Sequence, residues 1–177
     1  MDYLIKTERL VLRPPIESDD EELYKSMSDG RLTGFLTWEP HTNIEVTKNV
    51  IQSLKASQQQ DKGYHWCICV DQKPIGIVSL IDVKRTIRTW ELQRAELSYW
   101  INPDYQGKGY ATEASKAVIE FGFKKLNLHK TIIAHAEQNV ESKSICNKLG
   151  FKQYAHEHDA FKKNGFWHDL IWYELIN

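Results

Sequence analysis

Apolar residues recur along this chain with two different periods, which predict alternating β-strands and α-helices. Period-two runs rich in β-branched and aromatic residues predict seven strands, at residues 10–13, 64–70, 75–81, 94–101, 130–137, 154–161 and 166–176. Spacings of three and four residues predict four helices, one opening at residues 18–21, one opening near Thr42 or Asn43, and two spanning residues 112–126 and 142–149. The pattern therefore predicts a mixed chain of the α/β (α+β) class.

Cap and turn residues mark where several of these elements begin and end. Ser18-Asp-Asp-Glu21 has the spacing of a capping box, and Gly30 is expected to end the helix that this box opens. Gly150 is expected to close the last helix, with Phe151 packing back on it. Asn164-Gly165 suits a tight turn with positive φ, which predicts a closing hairpin. The second helix is expected to bury a stripe made of Val46, Val50, Ile51 and Leu54.

The composition sets limits on this picture. A chain of 177 residues that is 41% hydrophobic can bury one substantial core, so we expect one domain over residues 1–177. No segment approaches the roughly 20 apolar residues that span a bilayer, so we expect no membrane association. Three cysteines are too few and too oddly counted for a disulfide framework, which favours the cytoplasm. A net charge of -1 gives no field for direct binding of nucleic acid.

One carboxylate stands inside the predicted strand 94–101. Alternation places Glu96, Ser98 and Trp100 on one face of this strand, and on the other face Ala95, Leu97, Tyr99 and Ile101. Burying a carboxylate without a partner is costly, so packing alone does not explain it. Glu96 is therefore either the ion-pair partner of Arg94 or of a distant lysine, or a general base whose pKa is raised by partial desolvation.

A loop with two glycines lies between this strand and the helix that begins at Thr112. Gly107 and Gly109 allow an anion to approach the backbone, the helix N-terminus offers unpaired amides, and Lys108 adds a cation. The loop is therefore a candidate phosphate site. It is not a Walker loop, because no Gly-Lys-Ser/Thr ends it, and it lacks the third small residue of a dinucleotide fingerprint.

Several motifs resemble one enzyme family. Residues 106–111 match Gln-x-x-Gly-x-Ala, the pyrophosphate motif of the GNAT superfamily of N-acetyltransferases, and Asn139-x-x-Ser142 and Lys148-Leu-Gly-Phe151 follow at similar distances. Residues 7–13 and 164–169 resemble the subgroup of ribosomal-protein N-terminal acetyltransferases, the RimJ/RimL-like enzymes. The resemblance implies a twisted, mostly antiparallel sheet of about seven strands with about four helices, in which two central parallel neighbours splay apart.

The resemblance also implies a cosubstrate and roles for individual residues. Acetyl-CoA would supply the acetyl group, Glu96 would be the general base, and Ser142 would donate a proton to the departing thiolate. Other members use for this a tyrosine that is absent from residues 144–148 here. The implied cofactor contacts are Tyr99, Trp100, Ile101, Gln106, Gly107, Lys108, Gly109, Tyr110, Ala111, Thr112, Asn139 and Ser142.

Plainer interpretations of some of these residues stay open. Ser142 is equally placed to cap its helix or to satisfy backbone donors in the first turn. Cys146 lies four residues later on the same helix, where it either approaches the cofactor or, as we favour, packs in the core.

Two further groups of side chains invite other functions. Alternation in the closing hairpin can gather His156, His158 and His168, but no metal-ligand spacing repeats, so we expect no metal. A basic group between two strands is interpreted as a solvated loop, with an acidic acceptor or a ribosomal surface as the alternative partner; it comprises Lys84, Arg85, Arg88 and Arg94.

Together these features predict an acetyl-CoA-dependent N-acetyltransferase that acts on a primary amine by direct transfer in a ternary complex. An α-amine has a pKa of roughly 7.7 to 8.0 against about 10.4 for lysine, so one carboxylate base suits an N-terminal α-amine, for example that of a ribosomal protein. The alternatives are a polyamine, amino sugar or antibiotic as acceptor, a hydroxyl or a nucleotide-linked sugar amine, and a non-catalytic CoA-binding module. The sequence leaves open whether the chain is a monomer or a homodimer.

Overall fold

The computed structural model describes residues 3–177, which form one sheet flanked by helices. The strands are β1 (Ile5–Lys6), β2 (Val11–Arg13), β3 (Tyr64–Val70), β4 (Lys73–Ile87), β5 (Trp90–Ile101), β6 (Lys130–Ala136), β7 (Lys152–Lys163) and β8 (Phe166–Ile176). The helices are α1 (Asp20–Met27), α2 (Ile44–Gln59), α3 (Tyr110–Lys125) and α4 (Val140–Lys148). The predicted fold class is confirmed, with the two-residue β1 added because so short a strand has no readable period. None of these helices is long and apolar enough to cross a membrane.

β5 and β6 are parallel neighbours, whereas every other neighbouring pair of described strands is antiparallel. The strand order is β1-β2-β3-β4-β5-β6-β8-β7. The parallel register runs from Arg94 with Lys130 to Glu96 with Ile132. Beyond Glu96, β5 stays paired with β4 as far as Ile101, while β6 continues along β8. The two strands therefore diverge after Glu96, which confirms the predicted splayed pair.

The two faces of the sheet carry separate hydrophobic clusters, because side chains alternate along each strand. The cluster under α3 and α4 includes Trp66, Leu97 and Cys146, all almost fully buried. The cluster under α1 and α2 includes Cys67 and Trp100. All three cysteines are free and buried, as core packing predicts.

The second and fourth helices end or begin where the sequence predicts. Asn43 caps α2, since its side-chain oxygen accepts the amide of Val46 at 3.3 Å. Val46 itself lies at the exposed edge of the expected stripe, and Thr47 is buried in its place. Gly150 adopts φ 78° after α4, and Phe151 packs back and donates its amide to the Cys146 carbonyl at 3.0 Å.

The first helix departs from the prediction. The expected capping box at residues 18–21 does not open α1, because residues 17–19 form a short 3₁₀ turn and α1 begins at Asp20. The carboxylate of Asp19 is held instead by the guanidinium of Arg13, at 2.6 and 2.7 Å, and by the amide of Ile16 at 2.9 Å. A tertiary ion pair with β2 therefore replaces the local cap, and α1 ends at Met27, before Gly30.

The basic segment is not the solvated loop that was predicted. β4 and β5 continue through it as a long hairpin that turns at Arg88, where φ is 55°. Arg85 reaches back to the body of the protein and donates to the Asp61 carboxylate at 2.9 Å and to the Leu126 carbonyl at 2.7 Å. The closing hairpin does follow its sequence: Asn164 and Gly165 have φ 52° and 85° between β7 and β8.

Candidate active site

Glu96 lies where the sheet opens, as the last residue of β5 that pairs with β6. The side chain is half-buried, and the predicted ion pair with Arg94 or a distant lysine does not form among residues 3–177. Burial raises the pKa of the Glu96 carboxyl, the nearby Asp82 carboxylate raises it further, and Lys84 acts in the opposite direction. An unpaired carboxylate with a raised pKa at an opening in the sheet is a candidate general base.

Ser142 and Tyr99 meet through their hydroxyl groups. Ser142 Oγ lies 2.9 Å from Tyr99 Oη, and either oxygen can donate. Asn139, not Ser142, caps α4, because its side-chain oxygen accepts the Ser142 amide at 3.0 Å. Burial raises the pKa of Tyr99 far above its ordinary value, so the phenol keeps its proton at neutral pH. The first turn of α4 therefore presents a pair of linked hydroxyl protons.

Glu96 and the hydroxyl pair lie on opposite faces of β5, because alternate residues of a strand point to opposite sides. Tyr99 packs with the cluster under α3 and α4. Trp100, on the same face as Glu96, packs with the cluster under α1 and α2. A carbonyl carbon held in the gap between β5 and β6 would therefore meet a carboxylate from one face and hydroxyl groups from the other.

The loop after β5 has a backbone shaped by its glycines. Gly107 and Gly109 adopt φ 74° and 80°, in the left-handed region that favours glycine. The amide of Glu113 donates to the Gly109 carbonyl at 3.1 Å, which leaves the amides of residues 110–112 ahead of the hydrogen-bonded part of α3. Free amides at the positive end of a helix dipole suit a phosphate group.

Side chains of the loop support this backbone rather than extend from it. The amide of Gln106 donates to the Ile101 carbonyl at 3.0 Å. The ammonium of Lys108 donates to the Asp104 carbonyl at 3.3 Å and lies 4.9 Å from the ring centroid of Tyr105. The predicted cofactor residues of the loop thus offer mainly backbone groups to a ligand.

Arg9 braces the same loop, and the sequence did not reveal this role. Its guanidinium donates to the Lys108 carbonyl at 2.9 Å and to the Glu113 carboxylate at 2.7 Å, and it lies 4.9 Å from the ring centroid of Tyr110. Thr7 donates its hydroxyl to the same carboxylate at 2.6 Å. The available signal was the motif at residues 7–13, but contacts across about a hundred residues are not readable from spacing.

The other predicted cofactor residues lie along the opening. The side chains of Trp100 and Ile101 are buried in the two clusters, so only their backbone can contact a ligand. Past Glu96, that backbone pairs with β4 on one side and with no described strand on the other. A chain-like group could therefore lie along the open edge of β5.

The histidines of the closing hairpin gather differently from the prediction. His156 Nε2 and His158 Nδ1 lie 2.7 and 2.8 Å from one oxygen of Asp169. His168 points elsewhere and stacks on Phe161, with ring centroids 5.0 Å apart. An acid therefore takes the place expected of the third histidine, because neighbouring residues of β8 face opposite sides.

The sequence matches the family model described as an acetyltransferase (GNAT) domain over residues 9–152. It is 27% identical over 175 residues to the uncharacterized N-acetyltransferase YoaA of Bacillus subtilis, covering 98% of this chain and 96% of YoaA. It is 35% identical over 101 residues to the spermidine N(1)-acetyltransferase of Escherichia coli, covering 57% of this chain and 52% of that enzyme.

Among solved structures, the chain resembles RimL, a ribosomal L7/L12 α-N-protein acetyltransferase in complex with coenzyme A. The TM-score is 0.90 at 20% identity, covering 98% of this chain and 97% of RimL. At this identity the likeness concerns the fold, and it includes the whole arrangement of sheet and helices described above.

Proposed function

This chain belongs to the GNAT acetyltransferase family, and we propose that it transfers the acetyl group of acetyl-CoA to the N-terminal α-amine of a protein. It is an N-acetyltransferase with acetyl-CoA as cosubstrate. The observation that supports this acceptor is Glu96, a single half-buried carboxylate at the opening of the sheet, with no cationic partner among residues 3–177.

The number of bases matters because the attacking amine must be neutral. An α-amine with a pKa of roughly 7.7 to 8.0 needs about 3.4 kcal/mol less for deprotonation near neutral pH than a lysine amine with a pKa of about 10.4. One carboxylate with a raised pKa can accept the proton of an α-amine, whereas a lysine amine would need further help from its surroundings.

The proposed mechanism is direct transfer in a ternary complex. Glu96 accepts a proton from the amine, whose nitrogen attacks the thioester carbonyl to give a tetrahedral intermediate. As the carbon–sulfur bond breaks, Ser142 donates its hydroxyl proton to the thiolate. Tyr99, 2.9 Å from Ser142, is placed to return a proton to the serine. The products are the amide and the free thiol of CoA.

The cofactor would lie with its pyrophosphate at the amides of residues 110–112 and its pantetheine arm along the open edge of β5. Arg9 holds the loop at the Lys108 carbonyl and so fixes those amides before the ligand arrives. A site held rigid in the free protein spends less binding free energy on ordering itself.

A ribosomal protein is the acceptor that the structural likeness to RimL suggests. A polyamine is the second candidate, because 101 residues of the chain are 35% identical to a spermidine N(1)-acetyltransferase. The two acceptors differ in the number of amines and in the presence of a peptide backbone, which makes them separable by assay.

The deciding experiment compares matched acceptors with acetyl-CoA, with release of free thiol as the readout. Peptides with a free N-terminus form the first set, the same peptides with a blocked N-terminus and one internal lysine the second, and spermidine the third. We expect turnover in the first set and little in the other two. Faster acetylation of spermidine or of lysine would contradict the proposal, and thiol release with none of the three would favour the CoA-binding module.

A further inference from the structure

The β7–β8 hairpin holds a cluster of metal-binding side chains that the acetyl-transfer site does not use. His156 and His158 lie on one strand with one residue between them, so strand alternation points both imidazoles to the same face. The intervening residue, Glu157, faces the other way and accepts the indole N–H of Trp172 at 2.9 Å. Asp169 joins the two histidines from the neighbouring strand.

The three donor atoms converge closely. Asp169 Oδ2 lies 2.7 Å from His156 Nε2 and 2.8 Å from His158 Nδ1, and all three lie within 4.8 Å of one another. The other carboxylate oxygen of Asp169 accepts the backbone amide of Asp159 at 2.9 Å. This bond orients the carboxylate toward the imidazoles, as outer hydrogen bonds do for ligands in metal sites.

The backbone supports that orientation. The register of β7 against β8 shifts between Glu157 and Phe161, and Asp159 within this bulge has φ 48°. Bulges commonly re-aim side chains. Here the bulge brings the Asp159 amide onto Asp169, and that amide, together with His158 and His156, lowers the pKa of Asp169 to about 2, so the carboxylate is charged and able to coordinate across the neutral range.

We propose that His156, His158 and Asp169 form a binding site for a divalent first-row transition metal such as zinc, separate from the acetyl-transfer residues. Two imidazole nitrogens and one carboxylate oxygen make a donor set that zinc uses, with a fourth position left for water. Magnesium and calcium prefer all-oxygen sites and are poor candidates.

Binding requires a small and feasible change. Tetrahedral bonds of 2.0 to 2.1 Å place neighbouring donor atoms about 3.3 Å apart, so each nitrogen must move away from the Asp169 oxygen by about 0.6 Å. Each ring turns a lone pair to the metal, and its remaining N–H lies on the other nitrogen. His158 is free to move, since 76% of its side chain is exposed.

The test uses the full chain without an affinity tag, freed of metal, and titrated with Zn²⁺ by calorimetry and with Co²⁺ by visible absorption. We expect one saturable site per chain, and no binding of Mg²⁺ at the same concentrations. His156→Ala and His158→Ala should each raise the dissociation constant by at least about tenfold, the lower limit seen even when an outer partner is lost. His129→Ala removes an exposed histidine from another part of the chain and should leave binding unchanged.

The proposal is overturned if no saturable binding occurs below about 0.1 mM metal. It is equally overturned if both histidine variants bind as tightly as the wild type, or if His129→Ala weakens binding as much as they do. Circular dichroism checks that the variants are folded. His158→Ala keeps the test decisive even if another variant unfolds, because the His158 side chain is largely exposed and contributes little to packing.

Discussion

Replacing Glu96 with glutamine tests the proposed base most directly. Glu96→Gln keeps the size of the side chain and its ability to form hydrogen bonds but removes its basicity. Because Glu96 has no ion-pair partner within residues 3–177, the change breaks no salt bridge, and the fold should be unaffected. Acetyl-CoA affinity should also be unchanged, since the proposed phosphate contacts lie at residues 110–112.

The expected loss of turnover lies in the range of about 10²- to 10⁴-fold that general acid–base catalysis contributes. The pH dependence sharpens the prediction. In the wild type, activity should fall as pH drops through the pKa of Glu96, which burial raises above its ordinary value. Above that pKa the base is ionised and accepts the proton of a bound ammonium.

The glutamine variant has no such base and depends on amine that is already neutral. For an α-amine with a pKa near 7.85, the neutral fraction is about 12% at pH 7 and about 93% at pH 9. The ratio of wild-type to variant turnover should therefore shrink by roughly eightfold between these two pH values. For a lysine or polyamine acceptor with a pKa of about 10.4 the neutral fraction, and with it the rescue, should rise about a hundredfold.

The assay measures kcat by thiol release with a saturating peptide acceptor, at several pH values, for both proteins. Calorimetry with acetyl-CoA provides the control for cofactor binding. If Glu96→Gln keeps full turnover across this pH range while binding acetyl-CoA normally, Glu96 is not the base, and the amine loses its proton to solvent or to another group.

Three further predictions concern other parts of the site and the core. Ser142→Ala should lower turnover without rescue at high pH, because it removes a proton donor; equal rescue in the thiol assay would contradict this role. Arg9→Ala should raise the KM for acetyl-CoA several-fold and change kcat little, since the lost contact braces the loop at Lys108; an unchanged KM would refute it. Burial lowers the pKa of His65 to about 4, so on acidification the unfolded chain takes up this proton first, and stability falls between about pH 6.5 and 4. His65→Gln should make that fall, measured by urea unfolding, smaller by up to about 3 kcal/mol; an unchanged slope would exclude His65 as its cause.

The sequence predicted most of the fold because its elements depend on local signals. The apolar run at residues 64–70 coincides with β3, and Asn164-Gly165 turns between β7 and β8 as the dipeptide requires. Boundaries were wrong where a distant partner decided them. The expected box at residues 18–21 failed because Asp19 pairs with Arg13, and the basic segment became strand because Arg85 is held by Asp61.

The candidate site divides in the same way. Glu96 stood out in the sequence because a carboxylate inside a central strand needs a reason, and the glycines at 107 and 109 stood out because few other residues adopt their φ readily. The catalytic roles of Glu96 and Ser142 stay predictions. The structure adds the linked hydroxyls of Ser142 and Tyr99, which no motif connected.

By itself, then, the sequence determined the periods, turns and unusual residues of this protein, since propensity and alternation act over only a few neighbours. The tertiary structure decided which of those residues meet. Arg9 and Lys108 lie 99 positions apart along the chain, and Asp169 reaches His156 across two strands. Such contacts depend on how sheet and helices pack, because only packing brings distant segments within the few ångströms over which side chains bond.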